Sequence, residues 1–252
     1  MSYFDYFREV QYTFGSNTLP VAFQDLSVYA DLIDQLSDQA SYYSYYTILE
    51  GDRPDILADK LYGNSQYGWV FFLLNDHLRE SGWPLTRQEL NTHIDEMNPG
   101  CCITTREEFS GSIAQGTNIP GPLLRVGDTL TGSVSATSGV VTKLDPDNGQ
   151  VFMNVNAAWN AGEEVTWRDD DNALQSFTIE SCVDYELATD HYEDVDGNHV
   201  DIDPAVGPGV LLLEVTIKDM YERRNEELKQ IRIIRPDYID TIVNNVHAAL
   251  EG

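Results

Sequence analysis

The run Tyr46-Thr47-Ile48-Leu49-Glu50-Gly51-Asp52-Arg53-Pro54-Asp55-Ile56-Leu57-Ala58-Asp59-Lys60-Leu61-Tyr62-Gly63-Asn64, continued through Trp69 to Leu73-Leu74-Asn75, decides the fold. It is entered from Tyr42-Tyr43-Ser44-Tyr45, so a β-prone aromatic stretch ends at Glu50-Gly51-Asp52, a turn signal. Gly51 frees the turn. Asp52 is placed to cap a helix that Pro54 opens, because the missing N–H of proline costs nothing in a first turn. Ile56, Leu57, Ala58, Leu61 and Tyr62 supply the buried face of that helix, and Gly63 permits a left-handed stop. A second, very apolar helix is predicted from about Gln66 to His77. A third is predicted from Thr86 to Met97, where Thr86-Arg87-Gln88-Glu89 matches the capping-box pattern.

Outward from this core the character changes. Residues 1–20 are rich in aromatics (Tyr3, Phe4, Tyr6, Phe7, Tyr12, Phe14) before Gly15, Ser16, Asn17 and Pro20 break the pattern. Such a segment has to pack on this domain or on a neighbour. Phe23, Leu26, Tyr29, Ala30, Ile33 and Leu36 stand at helical spacing over 23–37. Residues 98–122 hold several prolines and glycines and read as a connector. Short alternating runs near Leu123–Val126, Thr129–Thr137, Val140–Leu144, Gln150–Val155 and Glu163–Trp167, with a hairpin turn at Asp147-Asn148-Gly149, predict a small closed β module. Residues 183–203 contain eight acidic residues and no Lys or Arg, and Asp196-Gly197-Asn198 reads as a second hairpin turn. Met220, Tyr221, Arg224 and Leu228 predict a short helix, and Ile231, Ile233 and Ile234 a strand. Pro236 opens a last helix with Ile239, Ile242, Val243, Val246 and Leu250 on one face.

The stretch 46–75 resembles a LysM module: a strand, Gly51-Asp52, a helix ending at Tyr62-Gly63, then a second helix with Trp69 and a closing Asn75. A LysM closes with a second strand beside the first. Nothing directly after Asn75 has that pattern, whereas Leu228-Lys229-Gln230-Ile231-Arg232-Ile233-Ile234-Arg235-Pro236 does. Residues 76–227 are therefore read as an elaboration between the two halves. The fold class expected is α+β: a split LysM-like core, an N-terminal helical and aromatic arm, and an inserted all-β module. The arm and its helix take residues 1–44 and the first part of the core 45–100. The insertion, with the β module at about 120–170 and an acidic hairpin, takes 101–204, and the helix-strand-helix completing the core takes 205–252.

The wider pattern resembles the baseplate wedge subunit 53 family of T-even-like contractile-tailed phages. The resemblance rests on Tyr3-Phe4-Asp5-Tyr6-Phe7, on Tyr45 to Asp55 with its Gly51-Asp52-Arg53-Pro54, and on Tyr62-Gly63-Asn64, Trp69 and Asn75. Trp83-Pro84-Leu85-Thr86 and Asn225-Glu226-Glu227-Leu228-Lys229-Gln230-Ile231-Arg232 add to it. Together these cover roughly residues 1–97 and 210–252; the β module is outside them. The resemblance implies a structural virion protein, assembled in the host cytoplasm. It would link wedge and inner baseplate proteins and neighbouring wedges around a sixfold axis, in six copies or a multiple. It implies no catalytic residue and no cofactor.

Composition narrows the alternatives. With 42 acidic against 15 basic residues and a formal net charge of -27, phosphates and anionic membrane surfaces would be repelled, so neither nucleic acid nor membrane is expected as a partner. The start of the chain lacks the basic residues and apolar run of a secretory signal, so use inside the producing cell or carriage within a particle is expected. Cys101, Cys102 and Cys182 read as reduced thiols, since neighbours in sequence rarely reach disulfide geometry. A glycosidase would need two placed carboxylates, which sequence cannot locate. Asp194, Asp196, Asp201 and Asp203 hint at calcium, but Gly197 falls at the fourth position of such a loop rather than the sixth. Metal binding by His191 and His199 has no supporting spacing. Arg223, Arg224, Lys229, Arg232 and Arg235 crowd into 13 positions. They either pair internally with Glu222, Glu226 and Glu227 or meet an acidic neighbour. Arg53 and the arm aromatics Tyr3, Phe4, Tyr6 and Phe7 are further interface candidates. The alternative function is peptidoglycan binding by a LysM-like module of a phage tail, although Arg53-Pro54 alters the loop such a ligand would use. A cell-wall hydrolase is the third reading.

Overall fold

A computed structural model of the chain describes residues 9–13, 20–24, 41–109, 123–155 and 159–251. Strands β1 (Glu9–Tyr12), β2 (Val21–Gln24) and β3 (Tyr43–Thr47) come first. Helix α1 (Pro54–Tyr62) follows, then a 3-10 turn at Ser65–Trp69 and helices α2 (Val70–Leu73), α3 (Asp76–Ser81) and α4 (Arg87–Met97). Next are β4 (Cys101–Thr104), β5 (Thr129–Gly132), β6 (Ser138–Asp145), β7 (Gln150–Met153), β8 (Glu164–Arg168), β9 (Leu174–Thr178) and β10 (Ser181–Asp184). The chain ends with β11 (Thr189–Glu193), β12 (His199–Val200), β13 (Leu213–Thr216), α5 (Ile217–Leu228), β14 (Gln230–Ile234) and α6 (Ile239–Glu251). The protein is α+β. It divides into two compact units, residues up to Arg87 with Arg224 onward, and Gln88–Arg223. These divisions fall short of 101 and beyond 204, where sequence places the ends of the insertion. The arm residues Tyr3, Phe4, Tyr6 and Phe7 and positions 25–37 of the expected first helix lie outside the described residues; Phe23, at the start of that helix pattern, is in β2.

The first unit is built around the antiparallel pair β3–β14, with Thr47 opposite Gln230 and Tyr43 opposite Ile234. A lone strand pair is marginal in water and needs apolar layers against it. Here side chains of alternate β14 residues enter two cores. Ile231 and Ile233 join Ile48, Leu57, Ala58, Phe71 and Leu78, while Ile234 joins Val70, Leu73, Leu74, Ile239, Ile242, Val243 and Val246. Gly63 ends α1 in the left-handed conformation at φ 69°, its N–H donating to the Asp59 carbonyl at 2.9 Å. The cap of α1 differs from expectation. Pro54 stands at N1, which makes Arg53 the N-cap, with no side-chain cap bond. Asp52 instead closes the preceding turn, its carboxylate accepting from Leu49 N at 3.3 Å and the Tyr46 hydroxyl at 3.2 Å. The continuous helix predicted over Gln66–His77 is instead a 3-10 turn running into α2, then α3 after a break at Asn75, which takes an extended backbone at φ -129°.

In the second unit, seven strands in the order β10-β4-β7-β6-β5-β8-β9 share one apolar core that includes Ile103, Leu130, Val141, Val151, Trp167 and Phe177. The predicted module had five runs; the sheet also recruits β4 from the expected connector and β9 and β10 beyond it, while Leu123 makes only an isolated bridge. The two end strands, β9 and β10, are consecutive in the chain. Asn148 ties the β6–β7 turn to Asp145, donating from its backbone at 3.3 Å and its amide at 3.0 Å, and Gly149 takes φ +66°. A separate sheet, β12-β11-β13, carries the acidic hairpin.

Candidate interaction surfaces

The motif residues of the first unit are bound to one another. Asn75, 2% exposed, donates its amide to the carbonyls of Phe71 and Arg232, both at 2.7 Å, and accepts from Arg232 N at 2.8 Å. It thereby satisfies the edge of β14 that faces away from β3. Tyr62 serves the same edge, its hydroxyl donating to the Ile234 carbonyl at 2.9 Å; burial pushes the phenol pKa well up. Trp83 donates its indole N–H to the Asp52 carbonyl at 2.6 Å and packs on Phe71 and Phe72. Arg87 N donates to the Glu50 carboxylate at 2.7 Å, so the Gly51-Asp52 loop is tied from outside on two sides. Asn225, also buried, makes a reciprocal pair with Leu85: its amide donates to the Leu85 carbonyl at 3.0 Å and its oxygen accepts from Leu85 N at 2.8 Å.

Four of the five basic side chains of the cluster hydrogen-bond within the chain, two of them to carboxylates. Arg223 forks onto Glu193, at 2.5 and 3.0 Å, which holds the Glu193 pKa below the usual carboxylate range. Arg224 donates to the Ser81 hydroxyl at 3.0 Å, and Lys229 pairs with Glu226. Arg232 donates to the Leu74 carbonyl at 2.6 Å and lies 5.3 Å from the Tyr43 ring centre. Only the Glu226 pair follows the internal-pairing alternative read from sequence; Glu193, 30 residues away, is a partner no helical spacing could indicate. Arg235 is exposed, and its guanidinium meets no acceptor among the described residues. Arg53 is exposed and pairs with its neighbour Asp55 at 3.3 Å, a contact worth little in water. Trp69 is half-buried, stacks on His247, and with Arg53, Pro54, Gln66 and Phe72 lines an open recess of about 660 Å³.

The second unit holds a buried carboxylate that sequence did not single out. Glu163, 3% exposed, accepts from Ser135 N and Oγ (2.8 Å each), Asn160 N (2.9 Å) and Val134 N (3.1 Å). Removal from water pushes its pKa up, but these donors together outweigh that and hold it below the usual carboxylate range. Asp194 spends its carboxylate on the hairpin turn, accepting from Asp196 N and Asn198 N at 2.9 Å each. No group of three potential metal-ligating side chains is placed to hold an ion among the described residues. Cys101 and Cys102 point to opposite sides of β4, into different cores, and none of the three cysteines is in a disulfide. A hydrogen bond from Cys101 is the main cause that lowers the Cys182 pKa to about 7.

His191 and His199 stack at 4.9 Å with planes 11° apart, beside a polar cavity of about 410 Å³. Asp190 (2.9 Å) and Glu193 (3.2 Å) hold the two ring nitrogens of His191; burial opposes its protonation, these carboxylates favour it, and the net pKa is raised.

Compared with protein-family models and with curated proteins, the chain matches none.

Proposed function

We propose that this chain is a structural subunit of a contractile phage tail baseplate wedge, which joins wedge proteins around the sixfold axis by protein–protein contacts. One observation carries the reading. Among the described residues, the segments that resemble the wedge family, far apart in sequence, converge in the first unit. Tyr46 pairs with Ile231 across the strands, Asn75 clamps Arg232, Trp83 closes the Asp52 loop, and Asn225 locks Leu85. A motif set scattered by chance would have no reason to supply each other's hydrogen bonds. On this reading the chain does no chemistry; it presents a rigid core and carries an inserted β module for contacts. Avidity from sixfold repetition would multiply contacts that are weak singly.

The deciding experiment is cryo-electron microscopy of the intact particle, with this chain's density located in the map. Copies in multiples of six at the tail tip, bridging adjacent wedges, are the expected result. Density confined to a fibre, or no copy in the tail, would refute the proposal. Peptidoglycan binding is the second reading, favoured by the half-exposed Trp69 in the recess beside Arg53 and Pro54. Against it stands the Gly51-Asp52 loop, whose backbone is already engaged by Trp83. A pull-down on purified peptidoglycan, retained by the full chain and lost on Trp69→Ala, would promote it.

A further inference from the structure

The chain from Val206 to the first residue of β13 exposes four large apolar side chains close together in sequence, where the other exposed apolar residues of the second unit stand further apart. Val206 and Leu211 stand 80% and 82% exposed, Val210 is fully exposed, and Leu213 is 59% exposed. Scattered single apolar residues on a surface need no explanation, but four within eight positions form a patch that gains by being covered. The loop is built rather than loose. Val206 N and Gly207 N donate to the Asp203 carbonyl at 3.0 and 2.8 Å, and Leu212 N donates to the Gly209 carbonyl at 3.1 Å. Arg106 donates to the Pro204 carbonyl at 3.2 Å and its guanidinium fills the space where a Cβ at Gly207 would sit. The exposure is therefore held in place by bonds on the loop's inner side.

The chemistry of whatever covers it is set by charge. The loop leaves the wall of the 410 Å³ cavity at Ile202, and that cavity is lined by Asp145, Asp147, Asp190 and Asp201 around the stacked His191 and His199. No Lys or Arg lines it, and none occurs between residues 169 and 217. A second copy of the chain is a poor occupant, since residues 88–223 hold 25 acidic residues against six Lys and Arg and would repel themselves.

We propose that this face docks a polypeptide segment of another protein, apolar side chains covering Val206, Val210, Leu211 and Leu213 and flanking Lys or Arg entering the aspartate cavity. The inference does not rest on the baseplate reading; a chain with any structural role would present the same surface.

The test is fluorescence anisotropy of the full chain with a labelled peptide of alternating Leu and Lys. Two control peptides replace Leu with Ser, keeping the charge, or Lys with Glu, keeping the apolar face. The Leu/Lys peptide is expected to bind. Affinity should fall at least about tenfold for Val210→Ser/Leu211→Ser, and again for the charge reversal Asp147→Lys, the hydrogen bonds of the loop and of the Asp145–Asn148 turn being untouched by these changes. Unchanged circular dichroism and melting of the exposed-residue variant separates loss of binding from loss of fold. Equal binding of all three peptides, equal binding by the variants, or no binding overturns the proposal. So does sedimentation showing a dimer that Val210→Ser/Leu211→Ser dissolves, which would make the occupant a second copy. Flotation with phosphatidylcholine vesicles, lost in the same variant, would assign the patch to a lipid surface instead and equally overturn it.

Discussion

Replacing Asn75 with alanine removes three hydrogen bonds at once, two on the edge of β14 and one to the Phe71 carbonyl of α2. The amide contacts are short, 2.7, 2.7 and 2.8 Å, and the side chain is 2% exposed. At about 1 kcal/mol net for each bond, and with the Arg232 N–H left buried and unpaired, the loss is about 3 kcal/mol. That is roughly two powers of ten in the folded-to-unfolded ratio of the first unit. Asn75→Asp sharpens the argument. It keeps an acceptor for Arg232 N but sets a carboxylate against two carbonyl oxygens, so the folded state favours the protonated form. The folded pKa is then raised above the unfolded one, the native state holds the extra proton, and stability falls as pH rises between the two values. Asn75→Asp should therefore be closest to the parent at about pH 4 and worst at neutral pH, whereas Asn75→Ala should show no such slope. Hydrogen exchange at Ile48 N, which donates to the Lys229 carbonyl at 2.9 Å, reads the strand pair locally, and urea titration reads the unit as a whole. An alanine variant within about 1 kcal/mol of the parent, or an aspartate variant with the same pH profile as alanine, would show that Asn75 does not hold the strand.

Deleting residues 230–236 should abolish exchange protection at Tyr43–Thr47, which have β14 as their strand partner; retained protection would mean another segment closes the core. Glu163→Gln places an amide N–H against both the Val134 and Ser135 N–H groups or, flipped, against the Asn160 N–H, and should destabilise the second unit by about 2 kcal/mol in thermal melts. Because the folded pKa of Glu163 is lowered, its contribution is present above the ordinary carboxylate range and fades as pH falls through the folded value, so the parent's acid-limb slope should flatten in the glutamine variant. Gly149→Ala should cost more than Gly197→Ala by differential scanning calorimetry. Both have positive φ, costing about 1 kcal/mol for a side chain, but a Cβ at Gly149 would also sit 2.4 Å from the Thr105 carbonyl oxygen, whereas one at Gly197 meets nothing.

Much of the first unit was legible because its signals are local. Gly63, Pro54 and the alternation through Ile231, Ile233 and Ile234 each act within a few residues, and the strand partner for residues 43–47 could be named because the chain offers one unpaired β-prone run after the insertion. Asp52 misled for an instructive reason: its spacing to the helix suits a cap, but Pro54 shifts the N-cap to Arg53, which leaves Asp52 one residue too early. β4 was hidden because Cys101, Cys102 and Ile103 are all buried, so no period of two appears in a four-residue strand flanked by Pro99-Gly100. The Thr216–Asp219 reciprocal cap of α5 follows the same pattern that was noticed at Thr86, with Asp219 N donating to Thr216 Oγ1 at 3.1 Å and Thr216 N to the Asp219 carboxylate at 2.9 Å. The partners of Glu163 and Arg223 depend on tertiary placement alone.

The two units differ in how they use polar groups, and this bears on where contacts form. In the first unit, Asn75, Tyr62, Trp83, Asn225 and Arg232 all bond to the unit's own backbone, while Arg224 and Lys229 bond on its surface to Ser81 and Glu226. Residues 88–223 instead carry 25 of the 42 acidic residues with few cations to answer them, together with the exposed Val206–Leu213 patch. Burying an uncompensated carboxylate is costly, and leaving apolar side chains in water forgoes their transfer energy. A partner that is both apolar and basic relieves the two costs together, while a core already satisfied gains nothing from one. Binding chemistry is thus expected on the insertion and scaffold rigidity in the split core, rather than on the basic cluster, which sequence left open between internal pairing and an acidic neighbour.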